Sequence, residues 1–191
     1  MIQSEDPKQR RSINPPELLV LTGPSHAGKT AVSREMLART PGPAAYLSVD
    51  DTLRHTLRRS TGEIWAEIPL AYELIDKELG VLLAKGWFVI VESTFTYVRP
   101  DGSGELHDDA LARMIGIAES ESAGWNVVQL MAGREEIISR AGQTGRLDSK
   151  IISEIFDLHQ GSTLPSSTSV VDTEGLTPAE TAAAISALLD A

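Results

Sequence analysis

Short apolar runs alternate with amphipathic segments along most of this chain. The apolar runs predict five β-strands, at residues 18–21, 44–49, 87–91, 125–131 and 169–172. Such short, nearly continuous runs are typical of strands buried on both faces of a parallel sheet. Segments with apolar residues at helical spacing lie between them. This alternation predicts an α/β fold, a three-layer sandwich with a five-stranded parallel sheet and helices on both faces.

The predicted helices differ in how clearly their ends are marked. The last one is the clearest, because Thr177, Pro178 and Glu180 form the pattern of a capping box with proline in the first turn. The helices are predicted at residues 31–39, 53–58, 69–85, 106–122, 134–140 and 148–159, and from 178 onward. Two segments break the pattern: 93–105, predicted to be a loop, and 141–146, predicted to form a small lid at about 140–150.

The first strand runs into a glycine-rich motif of the Walker A type. The motif reads Gly23-Pro24-Ser25-His26-Ala27-Gly28-Lys29-Thr30, and a helix-compatible segment follows it. Its glycines allow backbone N–H groups to converge on phosphate oxygens, and the helix N-terminus adds positive potential. In such a loop the lysine contacts the β- and γ-phosphates, and the threonine hydroxyl is a ligand of Mg²⁺. The alternative is a chance match to a short pattern.

Acidic residues follow two other predicted strands. Asp50 and Asp51 come after the second strand, and Glu92 comes after the third. In a parallel sheet these ends meet at one edge, so we expect the acids to lie in one crevice with the glycine loop. One aspartate would accept the proton of an attacking hydroxyl, and Glu92 would position Mg²⁺. As alternatives to these roles, Asp51 could cap the following helix, and Glu92 could be an acid at a strand end without a function.

Two pairs of arginines are candidates for contact with anionic groups. Arg54 and Arg58 are four positions apart on one helical face and could hold an acceptor. Arg140 and Arg146 flank the predicted lid, where they would stabilise charge on a transferring phosphoryl group. For both pairs the alternative is a solvated helix surface.

Composition restricts the class of protein. The 191 residues fit one domain at 17–191 after a polar, flexible lead-in at 1–16, which lacks the apolar core of a signal peptide. No apolar stretch reaches the roughly 20 residues of a membrane span. The absence of cysteine excludes disulfides and thiolate metal sites and favours a cytoplasmic location. A net charge of −10 argues against a long nucleic acid as the main partner.

With these residues placed, the chain resembles the P-loop kinase superfamily, in particular the branch with zeta toxins, chloramphenicol phosphotransferase and polynucleotide-kinase-like proteins. The resemblance is carried by the Walker A motif, by the segments 48–54 and 89–94, and by the arginines around 140–146. It implies transfer of the ATP γ-phosphoryl group, with Mg²⁺, to a hydroxyl. Asp50 matches the antibiotic-kinase pattern and Asp51 the polynucleotide-kinase pattern, so the identity of the base stays open.

The predicted function is an ATP-dependent phosphotransferase acting on a small hydroxylated acceptor, such as an antibiotic, a sugar or a nucleotide sugar. Three alternatives remain. The first is a zeta-toxin-like nucleotide-sugar kinase held in check by an inhibitory protein partner. The second is a nucleotide-binding regulator without kinase chemistry. The third is a polynucleotide 5′-hydroxyl kinase, which the acidity of the chain disfavours.

Overall fold

The computed structural model describes residues 17–57, 64–98, 104–144 and 149–190. The strands are β1 (Glu17–Thr22), β2 (Ala44–Ser48), β3 (Phe88–Glu92), β4 (Thr96–Val98), β5 (Gly104–Leu106), β6 (Gly124–Met131) and β7 (Ser169–Asp172). The helices are α1 (Lys29–Arg39), α2 (Val49–Asp51), α3 (Ile68–Leu83), α4 (Asp108–Ser120), α5 (Arg134–Thr144), α6 (Ser149–Gln160) and α7 (Pro178–Leu189). A π-helical turn (Thr52–Thr56) follows α2, and a 3₁₀-helix (Ile64–Glu67) precedes α3.

Five strands form one parallel sheet in the order β2-β3-β1-β6-β7. Successive side chains of β1 point to opposite faces, so Leu18 and Val20 lie in one core and Leu19 and Leu21 in another. Helices α3 and α4 cover the first core, whereas α1, α5, α6 and α7 contribute to the second. The predicted three-layer α/β class, with a five-stranded parallel sheet, is therefore confirmed.

Two sequence-based expectations about local structure are wrong. The segment 93–105 is not only loop, because β4 and β5 form an antiparallel pair in which Thr96 pairs with Leu106. Helix α5 continues past residue 140 to Thr144, because Ala141 is fully buried in the second core and its packing offsets the low helix propensity of Gly142. The alternative interpretation of Asp51 as a helix cap does not hold for α2, because the cap is Ser48, whose hydroxyl accepts the Asp51 N–H at 3.2 Å.

The capping box predicted for the last helix is present. The Thr177 hydroxyl accepts the Glu180 N–H, and the Glu180 carboxylate accepts the Thr177 N–H at 2.8 Å. Within the described ranges, no helix is both long enough and apolar enough to cross a bilayer.

Candidate nucleotide and phosphoryl-transfer site

The strand register brings the candidate residues to one edge of the sheet. Leu21 of β1 and Ser48 of β2 both pair with Glu92 of β3, so the three strands end at the same level. The glycine loop begins two residues after Leu21, and Asp50 follows two residues after Ser48. The loop and these acids therefore lie at the same carboxyl-terminal edge of the sheet, where the crevice was expected.

The loop between β1 and α1 has a backbone that depends on its two glycines. Gly23 has φ +139°, and a Cβ atom there would lie 2.2 Å from the Leu130 carbonyl oxygen of β6. Gly28 has φ +97° at the N-cap of α1, a conformation that costs little only for glycine. His26, also at positive φ, lies between them. The motif therefore forms a tight loop that is pressed against β6 and leads directly into the helix.

Lys29 bends back over this loop. Its Nζ donates hydrogen bonds to the carbonyl oxygens of Gly23 at 2.9 Å and Pro24 at 3.0 Å. An ammonium group has three donors, so these two bonds account for all but one of them. Burial lowers the pKa of Lys29, and the carboxylates of Glu92 and Asp50 oppose that shift. The lysine is held where its charge and its remaining donor can serve a phosphate bound by the loop.

Glu92 is the centre of a small buried network. Its Oε1 accepts a hydrogen bond from the Thr30 hydroxyl at 2.8 Å, and its Oε2 accepts one from the Tyr46 hydroxyl at 2.5 Å. Burial and the negative charge of Glu92 raise the pKa of Tyr46. No cluster of three or more His, Asp or Glu side chains suited to a metal occurs among the described residues. One threonine and one carboxylate fit Mg²⁺, which keeps several waters and needs few protein ligands.

The charges of the two aspartates after β2 act on different groups. The Asp50 charge acts on Lys29 and adds to the burial that raises the pKa of Tyr97, whereas the Asp51 charge acts on Tyr46. Asp50 also forms an ion pair with Arg54 at 3.7 Å. Asp50 is therefore the aspartate whose field reaches the lysine of the loop. Arg54 lies beside Asp50, while Arg58 lies outside the described residues.

Arg140 does not extend into the crevice but is held against the end of β7. It pairs with Glu136 at 2.8 Å and donates to the Thr173 hydroxyl at 3.1 Å and the Thr173 carbonyl at 2.9 Å. The Thr173 hydroxyl in turn lies within hydrogen-bond distance of two carbonyl oxygens, that of Met131 at 3.0 Å and that of Ala27 in the glycine loop at 3.3 Å. In this structure Arg140 thus braces the back of the loop. Its role in a lid stays a prediction, as does that of Arg146, which lies outside the described residues.

Sequence reasoning missed three residues of this region: Tyr46, Thr173 and His159. The first two carried no signal, because their importance comes from a single contact made across the fold. His159 is 1% exposed on α6, and its pKa is lowered to about 4 by burial and by the charge of Lys29, which the Thr94 backbone opposes. A signal for it existed, since it continues the stripe of Ile152, Ile155 and Phe156 at helical spacing.

Comparison with known proteins places the chain in a family. A family profile described as an AAA domain matches residues 18–155, from the first strand to α6. The chain belongs to the AAA domain family. No curated protein sequence shows significant similarity to this AAA domain.

Solved structures share the fold of this AAA domain at low sequence identity. The tunicamycin resistance protein of Deinococcus radiodurans is 16% identical, with a TM-score of 0.63 over 91% of this chain and 95% of that one. The APS kinase of Mycobacterium tuberculosis is 14% identical, with a TM-score of 0.63 over 92% and 98%. A gluconokinase from Sinorhizobium meliloti is 18% identical, with a TM-score of 0.57 over 92% and 94%. The fold that the resemblance to P-loop kinases implied is thereby confirmed.

Proposed function

We propose that this protein is a phosphotransferase that moves the γ-phosphoryl group of ATP to a hydroxyl of a small-molecule acceptor. One observation carries the proposal: the Lys29 ammonium is fixed over the glycine loop by two backbone carbonyls, within the field of Asp50. A nucleotide-binding switch needs the loop and the lysine, whereas a kinase also needs an acid positioned toward the acceptor.

The residues present fit ATP and Mg²⁺. The loop offers backbone N–H groups and a helix N-terminus to the phosphates, and Lys29 supplies positive charge. Thr30 and Glu92, hydrogen-bonded to each other, would hold Mg²⁺. When bound, the metal ion neutralises charge on the β- and γ-phosphates.

The proposed step is an in-line displacement in which Asp50 is the general base. The acceptor oxygen forms a bond to the γ-phosphorus, and the bond from that phosphorus to the β,γ-bridging oxygen breaks. ADP leaves with the electron pair of the broken bond, and the acceptor proton passes to the Asp50 carboxylate. Half of the Asp50 side chain is exposed, so an acceptor can reach it, and it forms an ion pair with Arg54.

Replacing Lys29 tests the phosphoryl-transfer site. We expect Lys29→Ala to lower ATP turnover by about 100-fold or more, because charge stabilisation at the phosphates is lost. Lys77→Ala is the matched control, since that lysine is exposed on α3 and pairs with Glu73. Turnover is measured as acceptor-dependent ADP release, with circular dichroism to verify folding. Equal turnover in both variants would contradict the proposal.

Exchange of each aspartate identifies the base. Asp50→Asn should reduce transfer by about 100- to 10,000-fold, the usual contribution of a general base, with little change in ATP binding. Asp51→Asn is the matched control, because that side chain is similarly exposed but directed toward Tyr46 and His55. A larger loss for Asp51→Asn would assign the base to Asp51, and no loss for either would show that the segment after β2 does not supply the base.

A further inference from the structure

Strand β4 and helix α6 meet in a seam beside the proposed site. Tyr97 of β4 packs into the first core, so Thr96 lies on the opposite face of the strand. Helix α6 contacts both strands of the β4–β5 pair, and a Cβ atom on Gly104 would lie 2.4 Å from the Leu158 side chain. His159 follows Leu158 and lies beside the Thr94 backbone, close enough to Lys29 to be affected by its charge.

This seam contains polar atoms that have no hydrogen-bond partner among the described residues. They are Oγ1 of Thr96 and the ring nitrogen of His159 that does not interact with the Thr94 backbone, and each residue is only 1% exposed. Buried polar atoms in folded proteins are almost always hydrogen-bonded, so such a group marks a place where a bound molecule completes the pairing. The seam adjoins the ends of β3 and the glycine loop, where an acceptor has to lie.

The chemistry of these atoms favours a ligand with hydroxyl groups. A threonine hydroxyl both donates and accepts, and the ring nitrogen of neutral His159 that does not interact with the Thr94 backbone is an acceptor. Burial and the charge of Lys29 keep His159 neutral at pH 7. A phosphate or carboxylate only accepts hydrogen bonds and would leave the acceptor atoms unpaired, whereas a polyol matches both kinds of atom.

The charges around the crevice also disfavour an anionic acceptor. Within the described ranges, the arginines near the site are already paired with carboxylates: Arg54 with Asp50, Arg134 with Asp157, and Arg140 with Glu136. The Lys29 ammonium donates to two loop carbonyls, and its remaining donor would serve the phosphates of the nucleotide. The Asp50 carboxylate would repel a second negative charge placed next to it.

We propose that the acceptor is an uncharged, polyhydroxylated small molecule whose hydroxyl groups are bound by Thr96 and His159 in the seam between β4 and α6. This inference rests on the phosphotransferase function proposed above and specifies the substrate class of the same site.

The first experiment compares acceptors of different charge. The full-length protein is incubated with ATP and Mg²⁺ and with neutral sugars and cyclitols, their monophosphates and nucleotide sugars, and transfer is measured as phosphorylated product. We expect Lys29-dependent transfer to neutral polyols, at least about tenfold above that to their phosphorylated counterparts. Lys29-dependent transfer mainly to phosphorylated acceptors would overturn the inference and leave the phosphotransferase function standing. If no turnover depends on Lys29, the proposed function fails, and this inference fails with it.

The second experiment removes the seam hydroxyl without changing the volume of the side chain. Thr96→Val should raise the KM for the neutral acceptor by about 5- to 100-fold, while the KM for ATP stays within about twofold. Because an unpaired buried hydroxyl is replaced by an apolar group, the melting temperature should stay equal or rise. Thr168→Val is the matched control: it also removes a buried hydroxyl that has no described partner, but near β7 and away from the crevice.

His159→Phe gives an independent readout at the same seam. It removes both ring nitrogens, and we expect a rise in acceptor KM similar to that of Thr96→Val, again without a rise in ATP KM. If both variants match Thr168→Val in acceptor KM, the seam does not bind the acceptor and the assignment is overturned.

Discussion

His159 shows how one buried side chain can link the site to the stability of the protein. Its ring projects from α6 into the buried interior, and burial together with the Lys29 charge lowers its pKa to about 4, against the opposing effect of the Thr94 backbone. In the unfolded chain the pKa of histidine is close to 6.5. The folded protein therefore resists protonation of this ring over a range of pH in which the unfolded chain accepts the proton.

This difference predicts a loss of stability at acidic pH. Between pH 6.5 and 4 the unfolded state binds more protons than the folded state, so the free energy of unfolding falls as the pH falls. The stability that His159 provides by staying neutral is fully present above pH 6.5. Acidification to pH 4 lowers the free energy of unfolding by about 3 kcal/mol through this residue. Urea denaturation of the wild type and His159→Phe at pH 7 and pH 4.5 measures it. The variant should lose less stability than the wild type on acidification, and identical losses would contradict the assigned pKa.

The residues of the site divide into those that the sequence could indicate and those that it could not. Lys29 and Thr30 belong to a contiguous motif, and Glu92 ends a recognisable strand, so their meeting at one sheet edge was predictable. The bond between Tyr46 and Glu92 was not, because it joins two separate strands and neither residue is unusual in its own segment. The choice between Asp50 and Asp51 likewise depends on the direction of each side chain, which spacing does not specify.

Secondary-structure elements with long periodic patterns were the easier ones to predict, and short elements were the harder. Strands β4 and β5 have three residues each, which is too few for an alternating pattern to be distinguished from a loop. Helix α5 was expected to end at Arg140, but it continues to Thr144 because Ala141 is buried against the second core. Local propensity was overridden by tertiary packing in this helix.

The extension of α5 can be tested with alanine. A Cβ atom on Gly142 would meet nothing within 4 Å, so Gly142→Ala should stabilise the protein by about 0.5–1 kcal/mol if the residue is helical. Gly42→Ala is the matched control, because that glycine is equally uncrowded but has φ +107°, and it should destabilise by about 1–2 kcal/mol. Chemical denaturation measures both changes. Destabilisation by Gly142→Ala would show that the chain is not helical there.

At the scale of the whole molecule, the central strand β1 contributes side chains to both hydrophobic cores. Leu18 and Leu19 are both fully buried in β1, and they point to opposite faces of the sheet. Damage to either core therefore disturbs the strand that carries the glycine loop. A sheet that is shared in this way should make the domain unfold as one cooperative unit.

Paired substitutions in β1 test this cooperativity. Leu18→Ala and Leu19→Ala should each lower the free energy of unfolding by about 2–5 kcal/mol, because each leaves a cavity in a packed core. Val170→Ala, at an exposed position of β7, should change it by no more than about 0.5 kcal/mol. Tryptophan fluorescence reports on the first core through Trp87 and Trp125, and circular dichroism reports on all helices. Separate transitions by the two probes would show that the cores unfold independently.

The bond from Thr173 to Ala27 joins residues 146 positions apart in the chain. During synthesis the ribosome therefore releases the phosphate-binding motif long before it makes the residue that supports it from behind. A nascent chain that has produced only the first four strands of the main sheet carries the whole motif and still lacks this support. Competence to bind a nucleotide should consequently appear late in translation, after β7 has emerged and joined the edge of the sheet.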